Sequence, residues 1–201
     1  TEDGLVGFWN FDEGSGDTVY DISGNGNNGI INGAEFSEDI PEQNCDVNTD
    51  IETIEEEQQN YSMSFDGIDD YVFVSNILDE PINSFTIDAF IKVGDKNSYQ
   101  KIVDIYTEGT GGDRILLEIT HDNQLQFQIS QGNIGQCGNA LIDNLPRNEW
   151  IHIVAIWSGD DMQIYINNNN LSNLTTNVST SVLSFSQSNL YVGSRYSNEE
   201  K

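Results

Sequence analysis

Glu149-Trp-Ile-His-Ile-Val-Ala-Ile-Trp157, then Ser158-Gly159-Asp160, then Asp161-Met-Gln-Ile-Tyr-Ile-Asn167 is the stretch that decides the fold class. Ile151, Ile153, Ala155 and Trp157 stand at alternate positions, and so do Met162, Ile164 and Ile166. A period of two puts each set on one face of a strand, whereas a helix would repeat every 3.6 residues. Between the runs lie Ser, Gly and Asp, which suit a tight turn because Gly and Asx residues tolerate positive φ. The stretch reads as a β-hairpin with one apolar face.

The same pattern extends outward in both directions. Strands are expected at 4–12, 61–66, 71–74, 85–93, 100–106, 114–120, 124–130, 149–158, 161–167 and 189–193, with a second hairpin turning on His121-Asp122-Asn123. Helical periodicity is almost absent. At 201 residues the chain fits one large β-sandwich domain spanning 1–201. Residues 37–60 depart from this order, with nine acidic residues and no Lys or Arg. They read as an acidic insertion with little to bury, in which 51–59 could form a turn or two of helix. Residues 167–180, rich in Asn, Ser and Thr, read as a loop that returns to a strand near 181–185.

Charge narrows the partners. Seven Lys and Arg stand against 34 Asp and Glu, a formal net charge of −27. Such a surface disfavours nucleic acid and anionic membranes and suits saline media and divalent cations. No apolar run approaches the roughly 20 residues of a membrane helix. Cys45 and Cys137 are 92 positions apart and lie in no zinc-type cluster, which leaves a loop-to-loop disulfide or two inert thiols. The first residues show no leader, so any signal peptide is expected to have been removed or to lie upstream, and the chain reads as a segment of a longer, secreted or cell-surface protein.

Gly4-Leu-Val-Gly-Phe-Trp-Asn-Phe-Asp-Glu-Gly-Ser-Gly-Asp-Thr-Val-Tyr-Asp-Ile-Ser-Gly-Asn-Gly-Asn-Asn-Gly29 resembles the opening signature of laminin-G-like (LamG, concanavalin A-like lectin/glucanase) domains. There, "G-W-x-F-D-E-x-S-G" leads into "D-x-S-G-N-G-N-x-G". Ser64-Phe-Asp-Gly-Ile-Asp-Asp-Tyr-Val72, Phe85-Thr-Ile-Asp-Ala-Phe-Ile91, the 149–157 and 162–167 runs and Leu190-Tyr-Val-Gly-Ser194 resemble further family segments in the family's order. The resemblance implies an all-β, antiparallel two-sheet jelly-roll sandwich. It also implies a last strand that these residues do not reach, and with it an Asp that commonly helps to bind metal in the family.

The Asp21–Gly29 loop is the leading candidate for chemistry. Ca²⁺ takes six to eight oxygens from carboxylates, amides and backbone carbonyls on a sharply turning loop. Glu13, Asp21, Asn25 and Asn27 are the candidate ligands, and the resemblance implies a structural calcium ion in this region. The competing reading makes Asp21 a turn cap. Asp66-Gly-Ile-Asp-Asp70 offers three carboxylates that could hold a cation or accept sugar hydroxyls, or simply form an acidic turn. His121 and His152 have no nucleophile at a diagnostic spacing and read as structural. Tyr99, Tyr106 and Tyr196 are conceivable sugar platforms, while Trp9, Trp150 and Trp157 read as core. The Asn-x-Ser/Thr triplets at Asn60, Asn170, Asn173 and Asn177 are uninformative in so Asn-rich a chain.

Three functions compete. A glycoside hydrolase needs paired carboxyl groups across the scissile bond. In the family's glucanases these come from a Glu-x-Asp-x-x-Glu strand, and no strand here has that spacing. Glu55-Glu-Glu57 falls in the acidic insertion and lacks it too. A non-catalytic extracellular binding module for a polysaccharide, glycan or extracellular protein is the expected function. The alternative is a structural or adhesion spacer of a large surface protein with no glycan ligand.

Overall fold

The computed structural model describes residues 3–42, 59–95, 98–107, 112–132, 135–170, 173–176 and 182–193. Expectations for Cys45, Glu55–Glu57, Asn177, Tyr196 and most of the acidic insertion fall outside these residues.

In chain order the strands of the first half are β1 (Thr18–Val19), β2 (Gly29–Asn32), β3 (Glu35–Ser37), β4 (Ser62–Ser64), β5 (Tyr71–Leu78), β6 (Pro81–Ile82) and β7 (Ser84–Lys92). Those that follow are β8 (Gln100–Thr107), β9 (Arg114–Ile119), β10 (Leu125–Gln131), β11 (Gly135–Ile142), β12 (Trp150–Ser158) and β13 (Asp161–Ile166). The last are β14 (Asn169–Asn170), β15 (Asn173–Thr176), β16 (Leu183–Ser184) and β17 (Ser188–Val192). No helix among the described residues is long and apolar enough to cross a membrane.

The hairpin read from the sequence is β12–β13. Trp157 pairs with Met162, Ala155 with Ile164 and Ile153 with Ile166, so every apolar residue of the alternation faces the same way. Gly159 turns it at φ 63°. Strand β7 adds to the other side of β12, and β14 completes a four-stranded sheet in the order β14-β13-β12-β7. The larger sheet has nine strands in the order β1-β2-β5-β17-β8-β9-β10-β11-β15. Every ladder among the described residues is antiparallel. The non-consecutive neighbours β5, β17 and β8 give the sandwich its jelly-roll crossing.

The core lies between the two sheets. Ile151, Ile153, Ala155, Trp157, Met162 and Ile164 of the small sheet meet Ile105, Ile115, Leu117, Leu125, Phe127 and Ile129 of the large one. Burial of these side chains, about 1.5–3 kcal/mol against exposure for each of the larger ones, is the main force that holds the sheets together. Because alternate residues point outward, the same strands also define an outer face on the large sheet.

Three expectations are corrected. Residues 4–12 form no strand, because side chains rather than a neighbouring strand take up their backbone groups, as described below. Residues 135–142 do form a strand, β11; Gly, Gln and Asn mask its apolar alternation, although Cys137, Ala140 and Ile142 are buried. The segment read as a loop at 167–180 contains β14 and β15. Trp157 is wholly buried, whereas Trp150 is only half-buried, its indole donating to Asp39 Oδ1 at 2.9 Å.

Candidate functional site

Asp21 organises the amino-terminal loop. Its Oδ1 accepts the amides of Phe8 at 3.0 Å and Ser23 at 2.9 Å, and its Oδ2 accepts that of Asn27 at 2.9 Å. Burial by itself pushes this carboxyl up, but the hydrogen bonds from Ser23, Phe8 and Asn27 together lower it from 3.8 to about 2. The side-chain amide of Asn25 donates to the carbonyls of Leu5 at 2.6 Å and Val6 at 3.2 Å, and that of Asn27 donates to Val6 at 2.8 Å. The indole of Trp9 reaches back to the Asn27 carbonyl at 2.8 Å. Side chains of one loop thus replace the partner strand that 4–12 lacks.

Glu13 stands apart from the other three candidates. Its Oε1 accepts the Tyr20 amide at 2.7 Å, while its Oε2 is buried with no hydrogen-bond partner. A buried carboxylate oxygen left unpaired is costly. That orphaned hard oxygen is the donor type a Ca²⁺ ion takes. The Asp21 oxygens, already engaged by three amides, shape the loop.

A second cluster lies on the outer face of the nine-stranded sheet. Pairing aligns Ile30, Phe73, Tyr191, Asp104, Leu116, Gln128 and Asn139 in one row across seven strands. At one end the rings gather: Tyr191 lies 5.1 Å from Phe73, 5.7 Å from Tyr71 and stacks on Tyr106 at 5.4 Å and 10°. All four are half-buried. At the other end Gln126 donates to Asn139 Oδ1 at 3.0 Å, beside Gln128.

Between rings and amides sits a charged centre. Asp104, wholly buried, holds Arg114 in a fork at 2.6 and 2.8 Å and Lys101 at 2.8 Å. Glu118 lies on the same face, two residues beyond Leu116, and its Oε2 is buried without a partner. Burial pushes the Glu118 carboxyl up; Arg114 and Lys101 pull it down, and Asp104 pushes it up again. Sequence reading missed Asp104, Arg114 and Glu118. The available signal was the run Arg114-Ile-Leu-Leu-Glu118, whose strand period puts both charges on the face opposite Ile115 and Leu117.

The remaining candidates separate. Asp66, Asp69 and Asp70 offer carboxylate oxygens within 4.8 Å of one another. Asp70 also accepts the Asp66 amide and Asp66 the Ile68 amide, each at 2.7 Å. His152 points outward from the small sheet, bound to Asp88 at 2.9 Å and stacked on Phe90 at 4.7 Å. His121 sits at the β9–β10 turn, 3.2 Å from Asp122 and beside Tyr99. Of the tyrosines considered from sequence, Tyr106 belongs to the outer-face stack and Tyr99 does not. Cys137 is buried, its thiol 3.3 Å from the Gly135 carbonyl.

A model of the concanavalin A-like lectin/glucanases superfamily of the laminin G type matches residues 66–201, more than half of the sequence. The chain belongs to that family. No curated protein matches it. Among solved structures it is similar to domain 4 of AbnA, a GH43 extracellular arabinanase from Geobacillus stearothermophilus solved with arabinotriose. That match has a TM-score of 0.57 and 11% identity over 96% of this chain and 85% of that one. An S-layer domain-containing protein from Clostridium thermocellum matches at 0.48 and 27%, over 83% and 71% of the two chains. Mouse laminin alpha1 domains LG4–5 match at 0.43 and 17% over 62% of this chain, which spans 32% of that structure's length.

Proposed function

We propose that this domain is a non-catalytic extracellular module that binds carbohydrate across the outer face of its nine-stranded sheet. The observation that carries the reading is the juxtaposition on one face of the Tyr71–Phe73–Tyr191–Tyr106 rings with the Gln126, Gln128 and Asn139 amides. Sugars use both kinds of surface at once: their C–H faces pack on rings, and their hydroxyls bond to amides and carboxylates. A net charge of −27 repels polyanions, so the ligand is a neutral polysaccharide or glycan. Extracellular placement rests on membership of the family. The test is affinity electrophoresis through gels containing neutral polysaccharides, arabinan among them. Retardation that Tyr191→Ala reduces about tenfold, a loss of about 1.4 kcal/mol, supports the reading; migration unchanged in every gel contradicts it.

Calcium completes the proposal. Glu13 is its direct carboxylate ligand in this reading, and Asp21, Asn25 and Asn27 hold the loop in the shape that presents it. The ion supplies structural stability, because a ligand that binds only the folded state raises its melting point. Melting in excess EDTA and then in millimolar Ca²⁺ should show a rise of several degrees that Glu13→Gln abolishes. Identical melting curves would remove calcium from the account.

A further inference from the structure

We propose that a cleft at one end of the large sheet, between Asn76, Thr107, Ser186, Gln187 and Asn189, is a distinct pocket for a single neutral sugar unit, the terminus of a glycan chain. The proposal rests on the carbohydrate reading above and adds a second, end-on subsite to it.

The pocket arises from a break in register. Ser188 pairs with Leu78, but Leu190 pairs with Val74, so Ser75, Asn76 and Ile77 are crowded opposite Asn189 alone. Bulges of this kind re-aim side chains. Asn76 takes φ 54° there, and Gln187, just before β17, takes φ 51°. Both are side-chain-bearing residues in the left-handed region, where each costs free energy that glycine would not. The cleft they flank has a volume of about 390 Å³. That is at the small end of ligand pockets, which suits one sugar unit rather than an extended chain.

Its chemistry is uniform. Among the described residues, all five lining side chains are amides or hydroxyls, and none is charged. Such a lining offers donors and acceptors in equal measure, which matches vicinal hydroxyls and gives an ion no counter-charge. Thr107 Oγ1, on a residue that lines the cleft, is buried with no hydrogen-bond partner, which costs free energy.

The walls are also fixed in advance. Asn189 Oδ1 accepts the backbone amide of Asn76 at 3.2 Å, and Asp79 Oδ1 accepts the backbone amide of Gln187 at 3.0 Å. Ser188 Oγ accepts the Leu78 amide at 3.2 Å and donates to the Leu78 carbonyl at 2.8 Å. These bonds fix the backbone of the walls and the Asn189 side chain, which therefore loses little entropy on binding. Asn189 pairs with Tyr106, so the pocket adjoins the ring stack. A glycan lying along the outer face would have its end there.

The double variant Asn76→Gly/Gln187→Gly tests this without endangering the fold, since glycine relieves both positive φ angles. Isothermal titration and amide-shift mapping would use methyl glycosides of glucose, galactose, mannose, xylose and arabinose, alongside the polysaccharides of the gel assay. The expected result is that at least one methyl glycoside shifts the Asn76, Gln187 and Asn189 signals. Its affinity should fall at least tenfold in the double variant, while the melting temperature stays level or rises. If polysaccharide is bound but no methyl glycoside perturbs these signals, or the double variant binds it unchanged, the pocket is overturned and the outer-face reading stands. Binding of neither class overturns both.

Discussion

Asp21 Oδ1 accepts the backbone amide of Phe8 at 3.0 Å across thirteen positions of sequence. Through this bond a loop carboxylate docks the amino-terminal segment in place of a neighbouring strand, while its bonds to the Ser23 and Asn27 amides close the loop itself. Asp21 is held at about 2 against an ordinary 3.8, so its ionised form is the one the fold stabilises. Its contribution, about 2 kcal/mol, is fully present above pH 4 and is lost as pH falls through the folded value. Asp21→Asn should therefore lower stability by about 1–2 kcal/mol at pH 7. It should also flatten the decline between pH 4 and 2, measured by thermal melts across that range.

Arg114 and Lys101 neutralise a carboxylate that water does not reach. Removing the larger partner leaves Asp104 buried with one cation. Arg114→Ala should cost about 3 kcal/mol in urea unfolding, more than an exposed ion pair is worth. A loss below about 1 kcal/mol would show that the Asp104 charge is solvated in solution.

Glu118 carries the opposite linkage. Burial raises its folded-state value above the ordinary 4.5, so ionisation works against folding as pH climbs from there through the raised value. Glu118→Gln removes the ionisable group and should leave the melting temperature at pH 7 unchanged or higher. The variant's pH profile between 4.5 and 7 should be the flatter of the two.

Trp157 links the two halves of the core and spends its indole N–H on the Gly159 carbonyl at 2.6 Å, at the hairpin turn. Trp157→Ala should cost about 3–5 kcal/mol from lost burial and the cavity left behind. Chemical denaturation measures this directly.

Much of the sandwich was legible in period-two runs whose apolar residues all face one way, as in β12 and β13. Strand β11 was not, because Gly138 and Asn139 interrupt the alternation at buried positions. The reading of 4–12 failed for a different reason: the run is apolar, but Asp21, Asn25 and Asn27 take up the backbone groups a strand would share. Composition singled out that loop, but not that Asp21 engages its oxygens with three backbone amides while Glu13 Oε2 is buried without a partner. The outer-face cluster was the least legible part. Tyr71, Phe73, Tyr106 and Tyr191 come from three strands that only the β5-β17-β8 order makes neighbours. No local pattern encodes that order.

The most direct test of carbohydrate recognition is a glycan array probed with this domain and with Tyr191→Ala, in parallel, in millimolar Ca²⁺. Saturable binding of the parent to neutral glycans, weakened about tenfold or more in the variant, is the expected result. Equal binding by both proteins would move the ligand off the outer face, and saturable binding by neither would contradict carbohydrate recognition itself.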